Sequence, residues 1–209
     1  MEFFTILVNR SHPLPPDFVP ADLVEADIPF DAPAGHEKRM LKTAAARAAK
    51  ELFSAARQQR LCLWGVSGYR SYARQEAIYR QRLAETSKSY VNSYIARPGT
   101  SEHQTGLALD VSCPAVRCQL TEAFADTAEG RWLARNAPLY GFILRYPRGK
   151  DEITGYAWEP WHIRYVTRSL ALYLALTGMT LEEYTQLHAG EECAQTHTGE
   201  DTDPGQFSG

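Results

Sequence analysis

The chain has 209 residues, 44% hydrophobic and 22% charged, with a formal net charge of -3. That composition suits one mixed domain with a real apolar core and argues against a basic surface that tracks phosphates. No apolar run approaches the ~20 residues that span a bilayer. The start, "MEFFTILVNRSHPLPP", has no basic leader and too short an apolar stretch for a signal peptide. The expectation is a cytoplasmic protein as the chain stands, or a cell-envelope or extracellular one if a leader has been removed.

In chain order, the opening "ILVNRSHPLPPDFVPADLV" is rich in proline and apolar residues and predicts an extended arm over the core. From His36 to Arg60, Leu41, Ala45, Ala48, Leu52 and Ala56 recur at steps of three and four, an amphipathic helix. "LCLWGV", 61–66, reads as a short buried strand. Ser71 caps a second helix, "YARQEAIYRQRLAE", with Ala73, Ala77 and Ile78 inward. Arg70, Arg74, Arg80 and Arg82 cluster there as a solvated face. Residues 87–100 end in "RPGT" and predict a loop.

"GLALDV" follows as a strand, and a mainly helical stretch runs from about Thr121 to Asn136. "GFILRY" predicts a strand, "PRGKDEITG" a turn, and "YAWEPWHIRYV" two strand pieces parted by Pro160. "TRSLALYLALTG" is a helix, and Thr180 with Glu183 forms a capping box that opens a final short one. The folded unit is expected over 1–188, with 189–209 a polar, Gly-rich and disordered tail. Helices and strands in this irregular order suggest an α+β fold. The cysteines, Cys62, Cys113, Cys118 and Cys193, form no CxxC. They read as free thiols, with Cys113–Cys118 the one candidate bridge.

The chemistry concentrates in "SEHQTGLALD", 101–110, and "WEPWHIRYV", 158–166. His12, His36, His188 and His197 fall in arm, helix start or tail, where a histidine is normally solvated. His103 and His162 instead lie at or in strands with a carboxylate nearby. Catalytic zinc takes three protein ligands and leaves one position open for water, and His103, Asp110 and His162 supply such a set. Asp110 faces away from Leu109 on a period-two strand, and a buried carboxylate there is costly unless paired or metal-bound. Glu159 is the candidate base: an unbroken strand would turn it away from His162, and the break at Pro160 can swing it back. Read blandly, the same residues are a core histidine and a surface carboxylate.

"SEHQTGLALD" matches the S-x-H-x-x-G-x-A-x-D signature of the zinc D-alanyl-D-alanine carboxypeptidases of the VanY and VanXY group, and "EPWH" matches their second metal motif. "SGYRS", 67–71, and the N-terminal "LVNRSHPLPPDFVPADLV" resemble the same group in the same order, so the resemblance covers roughly residues 5 to 175. It implies a hedgehog/DD-peptidase-like fold, a small central antiparallel sheet flanked by helices. It implies one zinc ion on His103, Asp110 and His162, and Glu159 as general base.

By the same resemblance Arg70 is placed near developing negative charge or the substrate carboxylate, and Ser101 offers the peptide a hydroxyl. Tyr69, Trp158 and Trp161 line the pocket, and Gln104 and Thr105 bond either substrate or backbone. The implied partner is a peptidoglycan stem peptide or precursor that loses its C-terminal D-alanine, with no nucleic acid. The competing readings are an L,D-carboxypeptidase or stem endopeptidase using the same zinc machinery, and a non-hydrolytic zinc-bound binding domain like that of hedgehog. A metal-free protein with coincidental His and Asp is the last.

Overall fold

Alternation along a strand makes its two faces different chemical surfaces, and across residues 108–112 it separates Leu109 and Val111 from Asp110. The computed structural model describes the backbone of residues 3–195 and the side chains of 4–91 and 94–188. In chain order its elements are β1 (Leu23–Glu25), β2 (Met40–Lys42), α1 (Thr43–Gln58), β3 (Trp64–Ser67), α2 (Tyr72–Glu85) and α3 (Lys88–Tyr94). Then come β4 (Ala108–Ser112), α4 (Ala128–Asn136), β5 (Phe142–Leu144), α5 (Asp151–Thr154), β6 (His162–Tyr165), α6 (Arg168–Thr177) and α7 (Leu181–Gln195). Short 3-10 turns fill several connections.

The expected α+β architecture is present. β1 and β2 make a small antiparallel pair, and a four-stranded antiparallel sheet runs in the order β3-β4-β6-β5. Its register sets the site. Leu109 lies opposite Ile163, and Asp110 lies opposite both Ser67 and His162. Leu109, Val111 and Ile163 are fully buried, in one core with Ala45, Ala49 and Leu52 of α1. Each such Leu or Ile contributes about 1.5–3 kcal/mol relative to an exposed one. A second apolar cluster joins Ile143 to Val166, Leu170, Leu174 and Leu181. No helix of the described residues is long and apolar enough to cross a membrane.

Several expectations need correction. The helix drawn from His36 begins only at Thr43. Residues before it form a 3-10 turn, whose start His36 caps by accepting from Lys38 N, and the strand β2. The apolar period misled because Leu41 is buried from a strand, not from a helix face. In α2, which Ser71 caps as expected, Ala73 and Ala77 are exposed, Ile78 is half-buried, and the buried residue is the polar Gln75. Residues 87–100 hold α3, started by Ser87 accepting from Tyr90 N, where a loop was expected. The helical stretch from Thr121 is broken at Thr127, whose hydroxyl accepts from Gly130 N and starts α4.

Of the two strand pieces around Pro160 only β6 exists, and 156–161 run irregularly into it. The 180–183 capping box forms in both directions, but the helix it opens reaches Gln195, past the expected start of the tail. Residues 196–209, the rest of that tail, lie outside the described residues. Cys62, Cys113 and Cys118 are free thiols, so the candidate bridge is not made.

Candidate metal centre

His103 reaches the site from a 3-10 turn, Glu102–Thr105, rather than from the strand itself. Gly106 ends the turn at φ 69, a conformation that glycine adopts without penalty, and a Cβ there would sit 2.7 Å from Leu23 Cδ2. The chain then enters β4. Across the gap, Gly68 presents its carbonyl to His103 Nδ1 at 2.7 Å, and Arg70 N donates to His103 O at 3.1 Å. His162 arrives from β6, directly opposite Asp110. The set thus comes from one turn and two paired strands, all of it buried.

Proton positions decide whether these residues fit a metal ion. A carbonyl can only accept, so His103 Nδ1 carries the hydrogen and Nε2 presents a lone pair. That lone pair faces Asp110 Oδ2 at 3.2 Å. His162 Nδ1 stands 3.1 Å from Asp110 Oδ1, which is buried without a hydrogen-bond partner. One ligand atom from each residue can be chosen so that all lie within 4.8 Å of one another. Donors bonded to one tetrahedral zinc at about 2.0–2.2 Å lie about 3.3–3.6 Å apart. His103 Nε2 and Asp110 Oδ2 are two acceptors, which repel at this spacing unless a proton or a metal ion joins them. The residues therefore fit a zinc ion.

The surroundings press the same way. Burial pushes the Asp110 carboxyl up, but His103 and His162 together hold it well below the usual carboxylate range. Burial lowers His103, with Asp110 opposing. Glu159 lies in the turn that leads into β6, with Oε2 3.6 Å from His162 Nδ1. Burial raises its carboxyl to about 8, with His162 opposing and Asp110 adding to the rise. Arg70 is half-buried against the site rather than on a solvated face. Its guanidinium donates to Gln75 Oε1 at 2.8 Å and Ser67 Oγ at 3.0 Å, and Nη2 is 3.8 Å from Asp110 Oδ2.

A cleft of about 610 Å³ opens on this cluster, and Arg70, Ser101, Trp161 and Glu159 line it together with the three candidate ligands. The Ser101 side chain makes no capping bond to the turn it precedes. Three of the expected pocket residues are elsewhere. Gln104 spends its amide on the arm, donating to Pro15 O at 3.0 Å and Phe18 O at 3.2 Å. Tyr69 is buried off the cleft, its backbone N–H on Met40 O, and Trp158 lies under the Arg148 guanidinium at 3.9 Å. Thr105 bonds only backbone, donating to Glu102 O and accepting from Leu107 N.

Sequence reasoning missed Tyr146 and Tyr156, which line the cleft, with Tyr146 4.9 Å from both the Tyr156 and His162 rings. It also missed Glu102, buried between Arg145 and Arg164. Burial raises the Glu102 carboxyl, and the two guanidiniums more than offset this to hold it well below the usual range. An acid next to a candidate ligand was the available signal.

The family model for VanY, described as D-alanyl-D-alanine carboxypeptidase, matches residues 38–168. The chain belongs to the VanY family. A putative carboxypeptidase of Bacillus subtilis (strain 168), YodJ, is 44% identical over 178 residues, covering 85% of this chain and 65% of that protein. The solved structure of the LD-carboxypeptidase LdcB matches with TM-score 0.81 at 43% identity, covering 86% of this VanY-family chain and 84% of that one. A mutant of a vancomycin-resistance D,D-pentapeptidase, VanY, solved in complex with Zn(II), matches with TM-score 0.70 at 33% identity, covering 88% and 99%. The chain spans about two thirds of the length of curated relatives such as YodJ.

Proposed function

We propose that this protein is a zinc metallocarboxypeptidase that releases the C-terminal D-alanine of a peptidoglycan stem peptide or precursor. The carrying observation is the cluster of His103 Nε2, Asp110 and His162 Nδ1 at the floor of the cleft, with Glu159 beside it. Membership of the VanY family and the Zn(II) complex of a relative support the choice of metal and reaction. When bound by those three residues, zinc supplies a Lewis acid with an open position and lowers the pKa of water there toward ~7.

The rest is done by the chain. Glu159, raised by burial, suits a group that takes a proton from the attacking water and hands it to the departing amine. No covalent bond to the protein forms. Arg70, pinned by Ser67 and Gln75, keeps a fixed positive charge on the cleft wall, where an oxyanion or substrate carboxylate would lie. Ser101 lends a hydroxyl from the same wall. A purely structural metal site has no use for Glu159, and that weighs against a non-hydrolytic binding domain.

A second reading, L,D-carboxypeptidase action on a tetrapeptide stem, is favoured by the likeness to LdcB. The deciding experiment incubates the zinc-loaded protein with pentapeptide and tetrapeptide stems and follows each by mass. Loss of D-alanine from the pentapeptide alone supports the D,D assignment. Loss from the tetrapeptide alone selects the second reading. Loss from neither, with zinc bound, contradicts both.

A further inference from the structure

Glu102 neighbours the candidate ligand His103 and has no part in the metal binding or proton transfer proposed above. It is 1% exposed. Its Oε1 accepts from Arg145 Nε at 2.7 Å and from Arg164 Nη1 at 2.8 Å. Its Oε2 and the Nε2 of His162 are both buried without a hydrogen-bond partner, and they lie 3.6 Å apart. Arg145 carries the network outward, donating from Nη1 and Nη2 to the two Glu182 oxygens of α7 at 2.9 and 2.5 Å. Glu182 Oε1 also accepts from Asn9 Nδ2 at 3.3 Å, and Arg164 Nη2 donates to Ile6 O at 2.9 Å. Two carboxylates and two guanidiniums balance. Clusters of this kind usually give little net stability compared with apolar packing of the same volume, so stability alone does not account for it.

We infer that Glu102 is a positioning residue for the metal centre, taking the Nε2–H of His162 so that Nδ1 faces the ion, and that α7 and the N-terminal arm hold it there. The inference rests on the zinc reading above. An imidazole whose second nitrogen donates to a carboxylate is fixed in tautomer and ring angle and is a stronger ligand, and loss of that partner typically costs about 10–100-fold in metal affinity or activity. Ile6, Asn9 and Glu182 stand outside residues 38–168, which match the family. Part of the support for the metal centre therefore comes from segments beyond the matched stretch.

The test measures the zinc dissociation constant of the full chain by competition with a chromophoric chelator, for the parent, Glu102→Gln and Glu182→Gln. Nitrogen NMR of the zinc-loaded proteins reads the His162 tautomer. Glu102→Gln is expected to weaken zinc binding about 10–100-fold, with Glu182→Gln weakening it by a smaller factor and the parent showing hydrogen on Nε2. A merely structural role would lower melting temperature while leaving both readouts at parental values, and that result overturns the inference. If Glu102→Gln does not fold, Glu182→Gln decides, since the Glu182 side chain is 13% exposed and on the rim of the cluster. A folded Glu182→Gln with parental zinc affinity and tautomer is then contradictory. A parent that binds no zinc overturns the reading beneath the inference, and is distinguishable from a parent that binds it no better than the variants.

Discussion

At the residue scale, what favours a metal ion over a plain buried polar cluster here is the count of protons. His103 gives its only hydrogen to Gly68 O, and Asp110 has none to give, yet their acceptor atoms face each other at 3.2 Å. Glu159 is distinct from the three candidate ligands in environment, since burial raises its carboxyl where the two histidines hold Asp110 down. Glu159→Gln keeps the shape and removes only the proton-accepting oxygen. It is expected to retain zinc and lose about 10²–10⁴-fold in turnover. Metal analysis beside a steady-state assay checks both halves, and unchanged turnover would remove Glu159 from its role.

At the element scale, the site is the product of strand register and one close backbone approach. Pairing Asp110 with His162 and with Ser67 puts the three on one face, while Leu109 and Ile163 face the core. A slip of one residue would exchange the faces. The segment after β3 is equally constrained, because a Cβ on Gly68 would meet Met40 O at 2.5 Å and Lys38 O at 2.8 Å. Both partners are backbone, so Gly68→Ala must displace the carbonyl that orients His103. The expectation is loss of about 1–3 kcal/mol of stability together with weaker zinc binding, read by thermal unfolding with and without metal. Parental behaviour in both would show that the contact yields freely.

That Asp110 and His162 come from neighbouring strands was legible in sequence, because alternation in short strands needs only neighbouring residues. Gln104, Tyr69 and Trp158 were not, because their partners, Pro15, Met40 and Arg148, are set by how the arm and turns lie, which no local pattern encodes. Glu102 shows the limit most clearly. Its guanidinium partners come from 43 and 62 residues away. The helix at 88–94 hid for another reason, since its polar sequence resembles a loop until Ser87 caps it.

At the scale of the whole molecule, polar bonds around the candidate metal centre reach segments that the apolar clusters also hold. Gln104 clamps the arm, Arg164 bonds Phe4 O and Ile6 O, and Arg145 reaches α7, all from around the two candidate ligand histidines. An ion held by three such anchored residues should stabilise the whole fold. Zinc at about a hundred times its Kd contributes about 2.7 kcal/mol, which for a chain of this size corresponds to about 5–11 °C in Tm. Calorimetry before and after treatment with a strong chelator should show a drop of that order, restored by added zinc. An unchanged Tm would mean that nothing of consequence is bound in the native state.

The most direct measurement is anomalous X-ray diffraction at the zinc edge on crystals of the zinc-loaded protein. One peak is expected, within about 2.0–2.2 Å of His103 Nε2, His162 Nδ1 and an Asp110 oxygen. Fully ordered side chains at these positions with no peak between them, or a peak seated elsewhere, would contradict the assignment.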